Sequence, residues 1–324
     1  MARIALDAMG GDNAPDETVA GAVDAASRGV DVVLVGHPGL LEAELAKHDT
    51  RLPIVDAPEV IAMGDDPARA LREKPGASIN VAAKLVNEGN ADGMVSAGST
   101  GAAMAAAAVH IGRISGVARP SIASIFPTPG SPTIVLDSGA NPDVKPEQLV
   151  QFAIMGSVAA EILLGAEDPR VGLLNIGEEK GKGRDLEKEA YHLLEQAPIR
   201  FVGNLEGRDV AEDKSDVIVT DGFTGNIFLK TMEGAAKVMV RYSLEAISEL
   251  DPDVQESVLP ALGEVRRRLD YETYGGAQLL GVKGVVVIAH GRSNRVAIAN
   301  ALVMAAEAAK NDLPGLLAAR LASS

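Results

Sequence analysis

Short apolar runs alternate with amphipathic stretches along the whole chain. Residues 3–6, 32–35, 54–56, 93–95, 171–176, 200–202, 217–220 and 285–288 are too short for buried helices and mostly apolar, which predicts strands covered on both faces. Helix-like segments fall between them, at residues 16–28, 38–47, 78–88, 101–111, 146–164, 186–196, 226–247 and 295–311. Pro67 opens a further helix, a short one closes the chain, and Asp16 is suited to cap the first. Residues 121–126 and 133–136 flank the turn PTPGSP and predict a hairpin that interrupts the order.

Strands alternating with helices imply an α/β fold with a doubly wound, mostly parallel sheet. No linker, repeat or low-complexity segment divides the chain, so residues 1–324 are expected to form one domain. In such a sheet, ligands bind where loops leave the strand ends. That expectation gathers DAMGGDNAPD, SAGSTG, DSGANPD, NIGEEKGKG, TDGFTGN and AHGRSN along one edge. Only residues 243–270 break the alternation. There Val254, Val258, Leu262, Val265 and Leu269 recur at helical spacing, with Leu259 alongside and Pro260 placed to start a second helix, predicting a projecting helical hairpin.

Composition narrows the function. At 324 residues and 47% hydrophobic, the chain can bury a full core. It has no cysteine, which excludes disulfides, thiolate metal sites and a cysteine nucleophile. Met1 leads straight into the strand-like ARIAL, and the longest apolar stretch, residues 102–111, is about half of the roughly 20 residues a spanning helix needs. A cytoplasmic protein without membrane spans is expected. A net charge of −15 and the lack of tryptophan argue against nucleic acid. A small-molecule enzyme is the remaining reading, and any acidic partner needs a local basic patch.

The six loops are rich in residues that expose backbone N–H groups and short polar side chains, and several open onto a helix N-terminus, so an anion is the natural guest. Gly11, Asp12, Asn13, Ser96, Gly98, Ser99, Thr100 and Asn141 are the candidate substrate contacts, with His290 the best placed of the five histidines. No loop reads GxGxxG, and Glu178 stands where a P-loop needs lysine. Asp7, Asp12, Asp137 and Asp221 all end or follow strands, where capping and turn formation are favoured over a divalent-metal cluster. Neither a metal nor a cofactor is called for.

Taken together and in order, DAMGGDNAPD, SAGSTGAAM, LDSGAN, NIGEEKGKG, TDGFTGNIFLKTMEG, YGGAQLLG and the final HGRSN resemble the bacterial phosphate acyltransferase family over essentially the whole chain. The resemblance implies a homodimer with a fold like the isocitrate and isopropylmalate dehydrogenases and the phosphotransacetylases. It implies transfer of an acyl group from acyl carrier protein to inorganic phosphate, giving acyl phosphate for a glycerol-phosphate acyltransferase in phospholipid synthesis. Ser99 stands where the family usually has asparagine, and Ala77 where a serine pair is common, both still small residues. Lacking a cysteine and a Ser/His/Asp arrangement, the chain fits direct attack by phosphate more simply than a covalent acyl-enzyme.

Matching the family's motif makes Lys182 the first catalytic candidate, with Lys180 its neighbouring competitor. Asn226 is the candidate oxyanion donor, and its position suits a helix N-cap equally well. The resemblance also links the projecting helices to peripheral contact with the inner face of the cell membrane, through Val258, Leu259, Leu262 and Val265. Arg266, Arg267 and Arg268 would offset the acidic charge against lipid, or instead meet the acidic carrier protein. A phosphotransacetylase-like enzyme using acyl-CoA, a decarboxylating dehydrogenase and a non-catalytic membrane-recruited scaffold are the alternatives.

Overall fold

The computed structural model describes residues 2–269 and 274–323. Met1 and Ser324, the ends of the expected domain, and Asp270, the end of the expected excursion, lie outside them. The strands are β1 (Arg3–Asp7), β2 (Asp31–Gly36), β3 (Ile54–Asp56), β4 (Gly93–Ser96), β5 (Ser121–Phe126), β6 (Thr133–Leu136), β7 (Arg170–Leu174), β8 (Arg200–Leu205), β9 (Val217–Val219), β10 (Ala277–Leu280) and β11 (Val285–Ile288). They join one sheet in the order β3-β2-β1-β4-β11-β10-β5-β6-β9-β7-β8. Around it lie α1 (Asp16–Ser27), α2 (Pro38–Ala46), α3 (Pro67–Glu73), α4 (Ser78–Asn87), α5 (Thr100–Ala106), α6 (Pro146–Leu163), α7 (Asp185–Leu194), α8 (Gly222–Ser248), α9 (Pro252–Leu269), α10 (Arg295–Lys310) and α11 (Leu313–Ala322).

Apolar side chains on successive strand residues face opposite sides of the sheet, so both faces need cover. In β1, Ile4 and Leu6 enter one buried cluster with Phe152 of α6 and Ile298 of α10, while Ala5 enters a second with Ala82 of α4 and Ala103 of α5. The sheet is therefore mostly parallel and doubly wound, as the alternation predicts.

The loops are distributed differently from the single-edge expectation. β4 and β11 are parallel, but β10 is antiparallel to both β11 and β5, and β5 is antiparallel to β6. β6, β9, β7 and β8 then run parallel to one another. The sheet thus consists of two parallel blocks of opposite direction, joined through the β5–β6 hairpin and β10. The loops after β1, β4 and β11 leave one way, and those after β6, β7 and β9 leave the other. β10 lies inside the motif YGGAQLLG, whose short AQLL run between glycines gave little strand signal.

Element ends differ from expectation for local reasons. β7 stops at Leu174, and Ile176 is 81% exposed, because the chain has already left the sheet. Asp16 is the first residue of α1 rather than its cap, which is Pro15. α8 begins at Gly222, capped by Asp221 through the Thr224 N–H at 2.7 Å, so Asn226 lies inside the helix and does not cap it. α9 runs through Pro260 instead of starting there. Proline removes a helix hydrogen bond, but here the helix is exposed and water can replace it.

α8 spans 27 residues, about 40 Å, and with α9 forms the projecting hairpin. No residue of α9 is buried. The root of α8 is fixed by close approach: a Cβ on Gly225 would lie 2.0 Å from the backbone oxygen of Asp137. We expect Gly225→Ala to cost about 1–3 kcal/mol, the usual penalty for overpacking a rigid contact. Denaturant unfolding checks this, and an unchanged midpoint would show that the root of α8 gives way.

Candidate active site

A cavity of about 620 Å³, a volume suited to small-molecule ligands, lies between the central strands and α8. Asp12, Gly98, Thr100, His290 and Gly291 line it from the first block, and Ser138, Gly139 and Asn226 from the second. Ile122, Ser124, Ile125 and Phe126 of β5 form the wall between them.

At the second-block end, Asp137 follows β6 and is completely buried. Its carboxylate accepts from the backbone N–H groups of Gly139 at 3.2 Å, Ala140 at 3.0 Å and Asn141 at 2.6 Å, from the Asn141 side-chain amide at 2.8 Å, and from the Ile122 N–H of β5 at 3.1 Å. Burial pushes this carboxyl above its ordinary range, while the donors pull it back. The loop so fixed presents the Ser138 carbonyl, which accepts from the Asn226 amide at 3.2 Å. An amide NH₂ has two donors, so this bond orients Asn226 and leaves one for a ligand.

The first-block end is braced in parallel fashion. Buried Asp7 accepts from the Ser96 hydroxyl at 2.6 Å, and the same oxygen of Ser96 accepts from the Gly98 N–H at 3.0 Å. Asp12 donates its N–H to the Gly291 carbonyl at 2.7 Å, and the Asn13 amide reaches the Arg292 carbonyl at 3.2 Å, so the loops after β1 and β11 are tied together. His290 Nδ1 accepts from the Arg292 N–H at 3.2 Å, which puts the proton of the neutral ring on Nε2. Burial, and next the Lys230 charge, hold its pKa below the ordinary histidine value; Arg292 and Lys237 act the same way, and Glu233 opposes them.

The candidates separate by position. Asp12, Gly98, Thr100, His290 and Asn226 line the cavity. Gly11, Asn13 and Ser99 belong to the same loops without being among its lining residues. Buried Ser96 and Asn141 act as braces, the latter also donating to the Pro120 carbonyl at 2.8 Å. Asp137 and Asp221 serve in a turn and a helix cap.

Lys182 stands apart, on the loop after β7. Its side chain is about half exposed, and its ammonium lies 3.9 Å from Glu179. Neighbouring Lys180 is paired with Glu195. The loop is nevertheless joined to the root of α8: Arg184 pairs with Glu187 and, at 2.6 Å, with Asp221, the residue that caps α8. Sequence reasoning missed this bridge because Arg184 reads as one more charge in a charged loop. It also missed the cavity's apolar lining, signalled only by Leu229, Met232, Ala236 and Met239 recurring along α8.

A family model described as fatty acid synthesis protein matches residues 2–315. The phosphate acyltransferase of Heliobacterium modesticaldum is 51% identical over 94% of this chain and 92% of its own length. That of Acaryochloris marina is 49% identical over 96% and 93%. The chain belongs to the phosphate acyltransferase family. It is accordingly an acyltransferase, and its fold extends to more distant proteins. A phosphotransacetylase from Streptococcus pyogenes superposes with a TM-score of 0.66 at 17% identity, covering 96% of this chain and 94% of that one. A 4-hydroxythreonine-4-phosphate dehydrogenase from Klebsiella pneumoniae gives 0.52 at 15%, covering 95% and 98%. At these identities the likeness is one of fold.

In this acyltransferase His290 is expected to titrate below the ordinary histidine range near 6.5, and Lys230→Gln to raise its midpoint. NMR of the imidazole checks both; a midpoint unmoved by that change would remove Lys230 as a cause. Because the unfolded chain takes up this proton first, His290 makes stability fall as pH drops through that range.

Proposed function

We propose that this enzyme transfers a fatty acyl group from acyl carrier protein to inorganic phosphate, without a cofactor, and supplies acyl phosphate to a glycerol-phosphate acyltransferase for phospholipid synthesis. The cavity carries this reading: it sets polar donors at Asn226, Thr100 and His290 against an apolar wall, as an acyl thioester and an anion together require. A phosphate oxygen attacks the thioester carbonyl carbon, a C–O bond forms, and the C–S bond breaks with its electron pair leaving on the pantetheine sulfur. Negative charge first gathers on the carbonyl oxygen, where the second Asn226 donor stabilises it. Lys182 supplies positive charge to phosphate or to the tetrahedral anion, from the loop that Arg184 holds to α8.

The hairpin would serve delivery. Val258, Leu259 and Val265 are 36%, 43% and 47% exposed, Leu262 is half-buried, and together they give α9 an apolar face without core partners. The contact proposed is a peripheral one at the inner face of the cell membrane; among the described residues no helix is long and apolar enough to cross it. The homodimer has a candidate surface in α8, where Phe223, Ile227, Val238 and Tyr242 are all exposed.

Lys182→Ala and Asn226→Ala should each lower turnover roughly a hundredfold or more with the fold intact, the usual cost of losing an oxyanion donor. The measurement is phosphate-dependent thiol release from long-chain acyl carrier protein, with acyl phosphate identified as product. Near-normal turnover removes that residue from the mechanism, and preference for short acyl-CoA favours the phosphotransacetylase-like alternative. Leu259→Glu combined with Leu262→Glu should abolish flotation with anionic liposomes; unchanged flotation would sink the membrane assignment.

A further inference from the structure

The cavity has two chemically different parts, and one helix supplies a side of each. Asn226 stands at the polar end, held by the Ser138 carbonyl. From there Leu229, Met232, Ala236 and Met239 follow along α8, all lining the cavity. At 100° per residue these four fall within one narrow stripe of the helix. Leu229, Met232 and Ala236 are half-buried, the first two packed against the core cluster that holds Phe126 and Val135, and Met239 is exposed, so the stripe leaves the core at its root and becomes an open apolar track further along. Phe126 faces it from β5, braced edge-on by Phe228 with ring centres 6.1 Å apart. From Asn226 to Met239 the helix advances about 20 Å, the length of a long fatty acyl chain.

We propose that α8 measures the acyl chain: with the thioester carbonyl at Asn226, the chain lies along the stripe to Met239, and Ala236 sets the length accepted. This rests on the acyl-transfer reading above. The occupant follows from continuity: the four apolar side chains begin one turn from the oxyanion donor and continue for the length of one acyl chain, with Lys230 and Glu233 lining the cavity beside them. Ala236 decides because it is the smallest of the four side chains and precedes Met239 on the track, so a larger side chain there would obstruct the way to Met239.

The test compares kcat/KM for acyl carrier protein thioesters of short, medium and long chains, in wild type and in Ala236→Phe, with thermal unfolding as the control for folding. The long-to-short ratio should fall at least about tenfold in Ala236→Phe, in keeping with the cost of denying methylenes their pocket. Ala236→Met, a milder block, should give a smaller fall of the same sign, and Met239→Ala should alter only the longest substrates. Equal scaling at every chain length, in Ala236→Met as in Ala236→Phe, overturns the proposal. So does a dissociated dimer with an unchanged chain-length profile, which would assign the stripe to a second copy of this chain. If wild type releases no thiol with phosphate at any length, the acyl-transfer reading itself fails; if wild type is active and the profile does not move, only the ruler fails.

Discussion

Asp137 accepts hydrogen bonds from the loop that follows it, from the neighbouring strand β5 and from the Asn141 side chain, all in a site closed to solvent. A buried carboxylate is costly unless its oxygens are satisfied, so the loop can relax only by leaving the carboxylate unpaired. The constraint reaches α8 as well. A Cβ on Gly222 would come within 2.8 Å of the same carboxylate, and one on Gly225 would strike the Asp137 backbone oxygen. The long helix is thereby seated against the turn, and Asn226 inherits its position from that seating. The Ser138 carbonyl that orients the Asn226 amide comes from the turn itself.

The second constraint is topological. Two parallel blocks of opposite direction meet at β10 and β5, so polar loops from strand ends arrive from both directions. A single edge would have brought six loops together directly. Here α8 does the joining: it starts among the second block's loops and runs across the wall formed by β5 toward His290. The cavity consequently sets polar groups from both blocks beside apolar side chains of β5 and α8. That form suits a substrate with a charged head and a hydrocarbon chain better than a compact anion.

Electrostatics follow the same division. The chain carries a net charge of −15, yet Lys230, Lys237 and Arg292 stand near His290 closely enough to disfavour its protonation. At His290 these cations act against Glu233, in a molecule that is acidic as a whole. Coulomb energies fall with distance and salt, so nearby charges dominate what an arriving anion meets. On the other side the Arg184–Asp221 pair joins the Lys182 loop to the cap of α8, so the two proposed catalytic residues share one mechanical link though one stands on a loop and the other in the helix.

Strand and helix positions were legible in the sequence because burial on both faces leaves short apolar runs, and the β5–β6 turn announced itself through proline and glycine. Family membership was legible because ordered loop motifs survive where overall shape is shared by distant proteins. The sequence also singled out Asp12, Gly98, Thr100, Asn226 and His290, since exposed loop chemistry is written locally. It could not place Lys182 relative to the cavity, because reach depends on which strand β7 neighbours and not on the motif. Nor could it reveal β10, whose four residues pair with β5, and the first two also with β11, without a pattern of their own. The direction of the second block, the burial of Asp137 and the exposure of the α8 stripe were settled only by the tertiary structure. Each is a relation between segments far apart in the chain, and hydrophobic periodicity says that a face is buried without saying against what.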